Sequence, residues 1–171
     1  MQYYPNIPSE GVPYGLFGNT TFPSLGTQWR RVASITGDLL FVGPCRLFSS
    51  ANVNASSDIY HYRLNVTDPT FDATLGSTHG IDINYVWNNP TLKKISTTVA
   101  KTVDFMSRAW AAFVVDQNPN GHGVSGVATW NKYSADSKGQ NFVIQVGRWS
   151  TESDTFRKQR IDVINNAVLK L

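Results

Sequence analysis

Between residues 96 and 115 apolar side chains return every three or four positions, at Val99, Val103, Met106, Trp110 and Phe113. That period lines one face of a helix, while Lys101, Asp104 and Arg108 fall on the opposite face. The spacing therefore predicts an amphipathic helix from about Ser96 to Val115 and excludes a membrane span there. Upstream, Trp29, Val32 and Ile35 mark a shorter helix over Leu25 to Thr36. Gly37 suits its C-cap, and Asp38 suits the N-cap of a second helix, "LLFVGPCRLF". Pro44 is expected to kink or divide that second helix, because it brings no N–H to the preceding turn. The segment "DIYHYRLNV", Asp58 to Val66, changes period. Tyr60, Tyr62 and Leu64 alternate with Ile59, His61 and Arg63, which predicts a strand. Two weaker strands are predicted around "ATWNKY" and "NFVIQVG", and a last helix from about Asp154 carries Phe156, Ile161, Ile164 and Val168. This order of elements holds too few strands to cover its apolar helices as a full α/β layer.

Composition narrows the class. With 171 residues, 41% hydrophobic and 16% charged, the chain can bury a substantial core and has no disorder signature. The net charge of +3 is small and no Lys/Arg run is long, so nothing points to nucleic acid as a partner. The densest basic group, "FRKQR", reads as the solvated face of a helix. A single cysteine, Cys45, rules out an intrachain disulfide, and its apolar helical setting predicts a buried, inert thiol. There is no zinc-ligand spacing, and no metal or organic cofactor is implied. Sequons at Asn19, Asn54 and Asn65 are about as many as chance supplies; they permit secretion without arguing for it. The opening "MQYYPNIPSEGVPYG" lacks the basic start and apolar run of a signal peptide, and no apolar stretch reaches transmembrane length.

Candidate chemistry centres on "STHGIDINYVW", Ser77 to Trp87. His79 ends a loop that follows the predicted strand, a placement that can carry an imidazole above a sheet edge. The other two histidines, His61 in the strand and His122 in "GHGVSG", read as structural or solvated. A nucleophile is harder to find. The elbow G-x-S-x-G does not occur, "GHGVSG" has a serine at the wrong spacing, and no HGGG-type run supplies oxyanion amides. Asp58, Asp68, Asp72 and Asp82 are present, but nothing in the sequence places one behind His79.

Five stretches, in order, resemble the type-B carboxylesterase/lipase family, whose members include cholinesterases and secreted fungal lipases. "HGIDINYVW" is similar to its catalytic-histidine segment, H-x-x-[DE]-[IL]-x-[YF]-V-[FW], through His79, Asp82, Ile83, Tyr85, Val86 and Trp87. "RRVASITGDLLFVGPCR" resembles R-x-x-x-x-x-G-D-x-x-F-x-x-P through Arg31, Gly37, Asp38, Phe41 and Pro44. "YHYRL" resembles the strand leading to the histidine loop. "WAAFVVDQNPN" matches W-x-x-F-x-x-x-x-x-P-N through Trp110, Phe113, Pro119 and Asn120, and "TWNKY" matches W-P-x-Y with Asn131 where proline is usual. The proline-rich opening also suits the fungal members. A family cysteine just before the proline is Gly43 here, so the disulfide it forms in animal members is missing.

The resemblance implies an α/β class: residues 1–171 would be the C-terminal part of an α/β-hydrolase fold, its last sheet strands and covering helices, incomplete as a domain. The histidine loop would run over about 67–87. It implies a carboxylic-ester hydrolase using a Ser-Glu/Asp-His triad, of which only the histidine carries over, onto His79. Asp82 would brace the loop and not serve as the triad acid. Ester or acylglycerol substrates, a missing N-terminal portion of the same fold as partner, and an extracellular location are implied for the intact protein. The 171 residues by themselves would be inactive. The alternative is a non-catalytic binding module derived from the same fold.

Overall fold

A computed structural model describes residues 3–5, 25–26, 28–54, 58–66, 76–134 and 139–168. The chain divides into two compact units, one formed by residues 1–52 with 155–171 and the other by residues 53–154.

In the first unit, α1 (Trp29–Gly37) runs without a break into a π-helical stretch, Asp38–Val42, and then α2 (Gly43–Asn52). The expected caps are not used. Gly37 keeps helical angles, φ −61° and ψ −43°, and Asp38 is fully buried inside the helix. Its carboxylate has better partners than a helix end: Tyr4 Oη donates to it at 2.7 Å and Arg157 Nη1 at 2.9 Å. Burial, then the Asp38 hydrogen bond, raises the Tyr4 phenol above its usual range. Pro44 does not end the helix either. The ladder widens just ahead of it, with the Gly43 N–H donating to the Asp38 carbonyl, five residues back. This accommodates a residue that has no N–H for the usual i→i−4 bond. Gly43 is buried, and a Cβ there would lie 2.7 Å from that same carbonyl. Cys45 is exposed, contrary to the expectation of a buried thiol, because the inward side of α2 is taken by Gly43, Arg46 and Ser49. Arg46 donates to the Phe156 carbonyl at 3.0 Å and Asn165 to the Gly43 carbonyl at 3.2 Å, which ties in α6 (Lys158–Val168).

The second unit is built on three strands in the order β1 (Tyr62–Leu64), β2 (Gln140–Gln145), β3 (Arg148–Ser153). β1 runs parallel to β2, with Tyr62 opposite Phe142, and β2 runs antiparallel to β3, with Phe142 opposite Thr151. The predicted alternation holds: Tyr60, Tyr62 and Leu64 pack on the core, whereas Arg63 faces Glu152 across the sheet. Two expectations fail. "ATWNKY" is irregular backbone, not strand, and the polar "RWSTES" is a strand that periodicity did not mark.

The long helix, α5 (Thr97–Asp116), covers the sheet as its spacing predicts. The Ser96 side chain accepts from the Val99 N–H at 3.1 Å, and Gln117 closes the helix at φ 55°. Val99, Val103, Phe105 and Met106 are buried, while Phe113 near the end emerges at 42% exposure. Among the described residues between β1 and α5 are two short helices, α3 (Ile81–Val86) and α4 (Pro90–Lys93). Among the described residues no helix is long and apolar enough to cross a membrane.

Candidate active site

His79 lies in the turn that opens α3, between two residues with left-handed backbone, Gly76 at φ 62° and Gly80 at φ 81°. Gly80 is the residue before the helix, and its positive φ is one that a β-carbon would penalise. Behind the turn, Ile81 and Tyr85 are buried in the core and fix the helix from below. Ser77 Oγ donates to the Leu64 carbonyl at 3.0 Å, joining the turn to the end of β1. Tyr62 Oη donates to Asp82 Oδ2 at 3.2 Å, joining the first turn of α3 to the same strand. A carboxylate at that position also suits the positive end of the helix. His79 itself is exposed. The strand, two hydrogen bonds and a buried helix face thus hold the turn that carries His79 at the surface.

The other carboxylates considered from sequence stand apart in role. Asp82 is engaged by Tyr62, and Asp58 pairs with Lys132 at 2.7 Å on the surface. Asp68 and Asp72 lie outside the described residues, as does the loop over residues 67–75. His61 stacks at a tilt on Tyr133, ring centroids 5.4 Å apart, with Nδ1 4.0 Å from the buried Asp154. His122 accepts from the Val124 N–H at 2.9 Å through Nδ1 and packs edge-on against Phe105. Burial, with a smaller contribution from Arg108, lowers its pKa and favours the neutral ring. Among the described residues no cluster of three or more metal-ligating side chains occurs.

The structure also shows what the other motif residues do. Asn120 hydrogen-bonds the Trp130 backbone, Trp130 stacks on Phe142 at 5.0 Å and 13°, and its indole N–H donates to the His61 carbonyl at 3.1 Å. Pro119, Trp110, Phe113 and Trp130 line a cavity of about 190 Å³ with Tyr60 and Tyr62. Tyr62 and Ser77 are the residues that sequence reading missed. Tyr62 falls on the core-facing side of the strand alternation, but no sequence spacing foretells its reach to Asp82.

A family profile described as the carboxylesterase family matches residues 19–164. Lipase 4 of Diutina rugosa is 26% identical over 166 residues, covering 96% of this chain and 27% of that protein. Secreted lipase 1 of Botryotinia fuckeliana is 28% identical over 165 residues, covering 96% of this chain and 26% of its own length. The chain thus spans about a quarter of the curated relatives it matches. Among solved structures, EstA of Aspergillus niger superposes with a TM-score of 0.76 at 17% identity, over 98% of this chain and 31% of the other. The fold is accordingly part of an α/β-hydrolase fold.

Proposed function

Because the chain belongs to the carboxylesterase family, we propose that residues 1–171 are the C-terminal portion of a carboxylic-ester hydrolase in which His79 is the general base. The observation that carries this reading is His79 held exposed at the head of α3 by the Ser77–Leu64 and Tyr62–Asp82 hydrogen bonds. In the intact enzyme the nucleophilic serine, its oxyanion amides and the triad acid come from upstream polypeptide. His79 takes the serine proton as the hydroxyl attacks the ester carbonyl, then returns it to the leaving alcohol. Water repeats the cycle to release the acid. The fit to about a quarter of each relative, together with a sequence that holds no G-x-S-x-G, supports a division of the triad across a longer protein. So do the apolar side chains left exposed on the first helices, Leu40 at 58% and Phe48 at 65%. Substrates are esters or acylglycerols, in keeping with two relatives named as lipases, and the enzyme acts outside the cell, as the name of the Botryotinia fuckeliana lipase says of that protein.

Two measurements test the reading. The purified 171-residue chain is expected to hydrolyse short-chain aryl esters no faster than free imidazole, since nucleophile and oxyanion donors supply most of the acceleration. Robust turnover that disappears in His79→Ala would sink the division of the triad. Coding DNA upstream of Met1 is expected to encode a G-E-S-A-G elbow in frame or across an intron. In that longer protein His79→Ala should lower kcat by about 10⁴-fold or more.

A further inference from the structure

We propose that Asn54 is an N-glycan attachment site. The three sequons are equivalent on sequence, but the structure separates the two it describes. Asn54, in Asn54-Ala55-Ser56, is exposed on the turn just after α2. Asn65, in Asn65-Val66-Thr67, is half-buried at the end of β1, and its N–H donates to the Ile144 carbonyl at 2.8 Å. Strand alternation puts Asn65 on the face where Arg63 grips Glu152 at 2.6 and 2.8 Å, and the next residue, Val66, is 2% exposed. A branched, strongly hydrated oligosaccharide at Asn65 would leave from a half-buried residue beside the Arg63–Glu152 pair with its backbone tied to β2, whereas at Asn54 it leaves from an exposed turn. Asn19 lies outside the described residues.

In the transfer, the Asn54 amide nitrogen forms a C–N bond to the anomeric carbon of the first sugar. The glycosyl–phosphate bond of a lipid-pyrophosphate oligosaccharide donor breaks, lipid pyrophosphate leaves with the bonding electrons, and the amide proton passes to a base of the transferase. The inference rests on the extracellular part of the proposed function, because donor and transferase belong to the secretory route.

The test imposes that route. The full chain is expressed behind a secretory leader in a eukaryotic host, as wild type and as Asn19→Gln, Asn54→Gln and Asn65→Gln. Total cell extract is read by mobility before and after peptide N-glycosidase and by peptide mass spectrometry, so retention in the endoplasmic reticulum does not remove the readout. The enzyme is expected to increase the mobility of wild type and Asn65→Gln and to convert Asn54 to aspartate. Asn54→Gln should run one glycan lighter than wild type. An Asn54 peptide recovered without sugar overturns the site. Because the leader supplies the compartment, where the natural protein resides is measured separately, by its presence in culture medium.

Discussion

Asn120 treats Trp130 as a neighbouring strand would. Its side-chain Nδ2 donates to the Trp130 carbonyl at 2.9 Å and its Oδ1 accepts from the Trp130 N–H at 2.8 Å. One amide side chain thus satisfies both backbone groups of a residue that is 5% exposed, in a segment with no ladder of its own. Asn120→Ala is expected to cost about 2–4 kcal/mol, two hydrogen bonds lost with buried groups left unsatisfied. Asn120→Asp should cost a comparable amount, since its carboxylate meets the Trp130 carbonyl oxygen where a donor stood. Urea unfolding followed by circular dichroism checks both; an unchanged midpoint would show that water replaces the amide.

Asp38 and Arg157 form a second arrangement in which one partner cannot be removed cheaply. Their side chains are 1% and 11% exposed and 2.9 Å apart. Asp38→Ala removes the carboxylate that the buried Arg157 guanidinium pairs with and deprives Tyr4 of its acceptor, so a loss of about 3–5 kcal/mol is expected. Thermal unfolding of the variant should begin well below wild type. A Tyr4→Phe variant, which keeps the ion pair, should lose about 1 kcal/mol.

The bidentate pair between Arg63 and Glu152 gives a pH dependence with a defined sign. The Arg63 hydrogen bond holds the Glu152 carboxyl below its ordinary value, and the same bond raises Arg63. A depressed carboxyl contributes stability above its unfolded pKa of about 4.3 and loses it as pH falls through the folded value. Both side chains are about a third exposed or more, 40% and 32%, so solvent screening limits the contribution to about 1 kcal/mol or less. Urea midpoints measured from pH 6 down to about pH 3 should fall less steeply in Glu152→Gln than in wild type. Equal slopes would remove this pair from the acid response.

Gly147 turns β2 into β3 at φ 69°, and its N–H donates to Thr102 Oγ1 at 2.9 Å. A β-carbon there would run into the Thr98 side chain on α5. Gly147→Ala is therefore expected to cost about 1–3 kcal/mol through backbone strain and steric conflict together. Trimming the obstacle with Thr98→Ala should restore part of that loss in the double variant, by a double-mutant cycle.

The sequence was informative where one interaction dominates. The stripe along α5 and the alternation through Tyr60, Tyr62 and Leu64 each report burial against one core, and both stand in the structure. It misled where a residue's partner lies far along the chain. Asp38 has the composition of an N-cap, but its partners Tyr4 and Arg157 are 34 and 119 residues away, and they keep it within a continuous helix. "ATWNKY" has strand composition, yet Trp130 is bonded by the Asn120 side chain. β3 was overlooked because Trp149 is its one apolar residue: it touches the core, while Thr151 and Ser153 on the same face are polar and exposed, so no apolar alternation marks the strand. For the candidate site, the motif singled out His79, which the structure places in the exposed turn before α3. The supports from Tyr62 and Ser77 depend on bringing β1 beside α3, which local pattern does not encode.

Trp87, at the end of α3, is 80% exposed, whereas the other four tryptophans, Trp29, Trp110, Trp130 and Trp149, are partly or fully buried. The chain therefore carries an optical reporter eight residues beyond His79. Light emitted by a water-facing indole falls on the long-wavelength side of the tryptophan band, and a polypeptide or lipid that settles over α3 moves that component to shorter wavelength without any added dye.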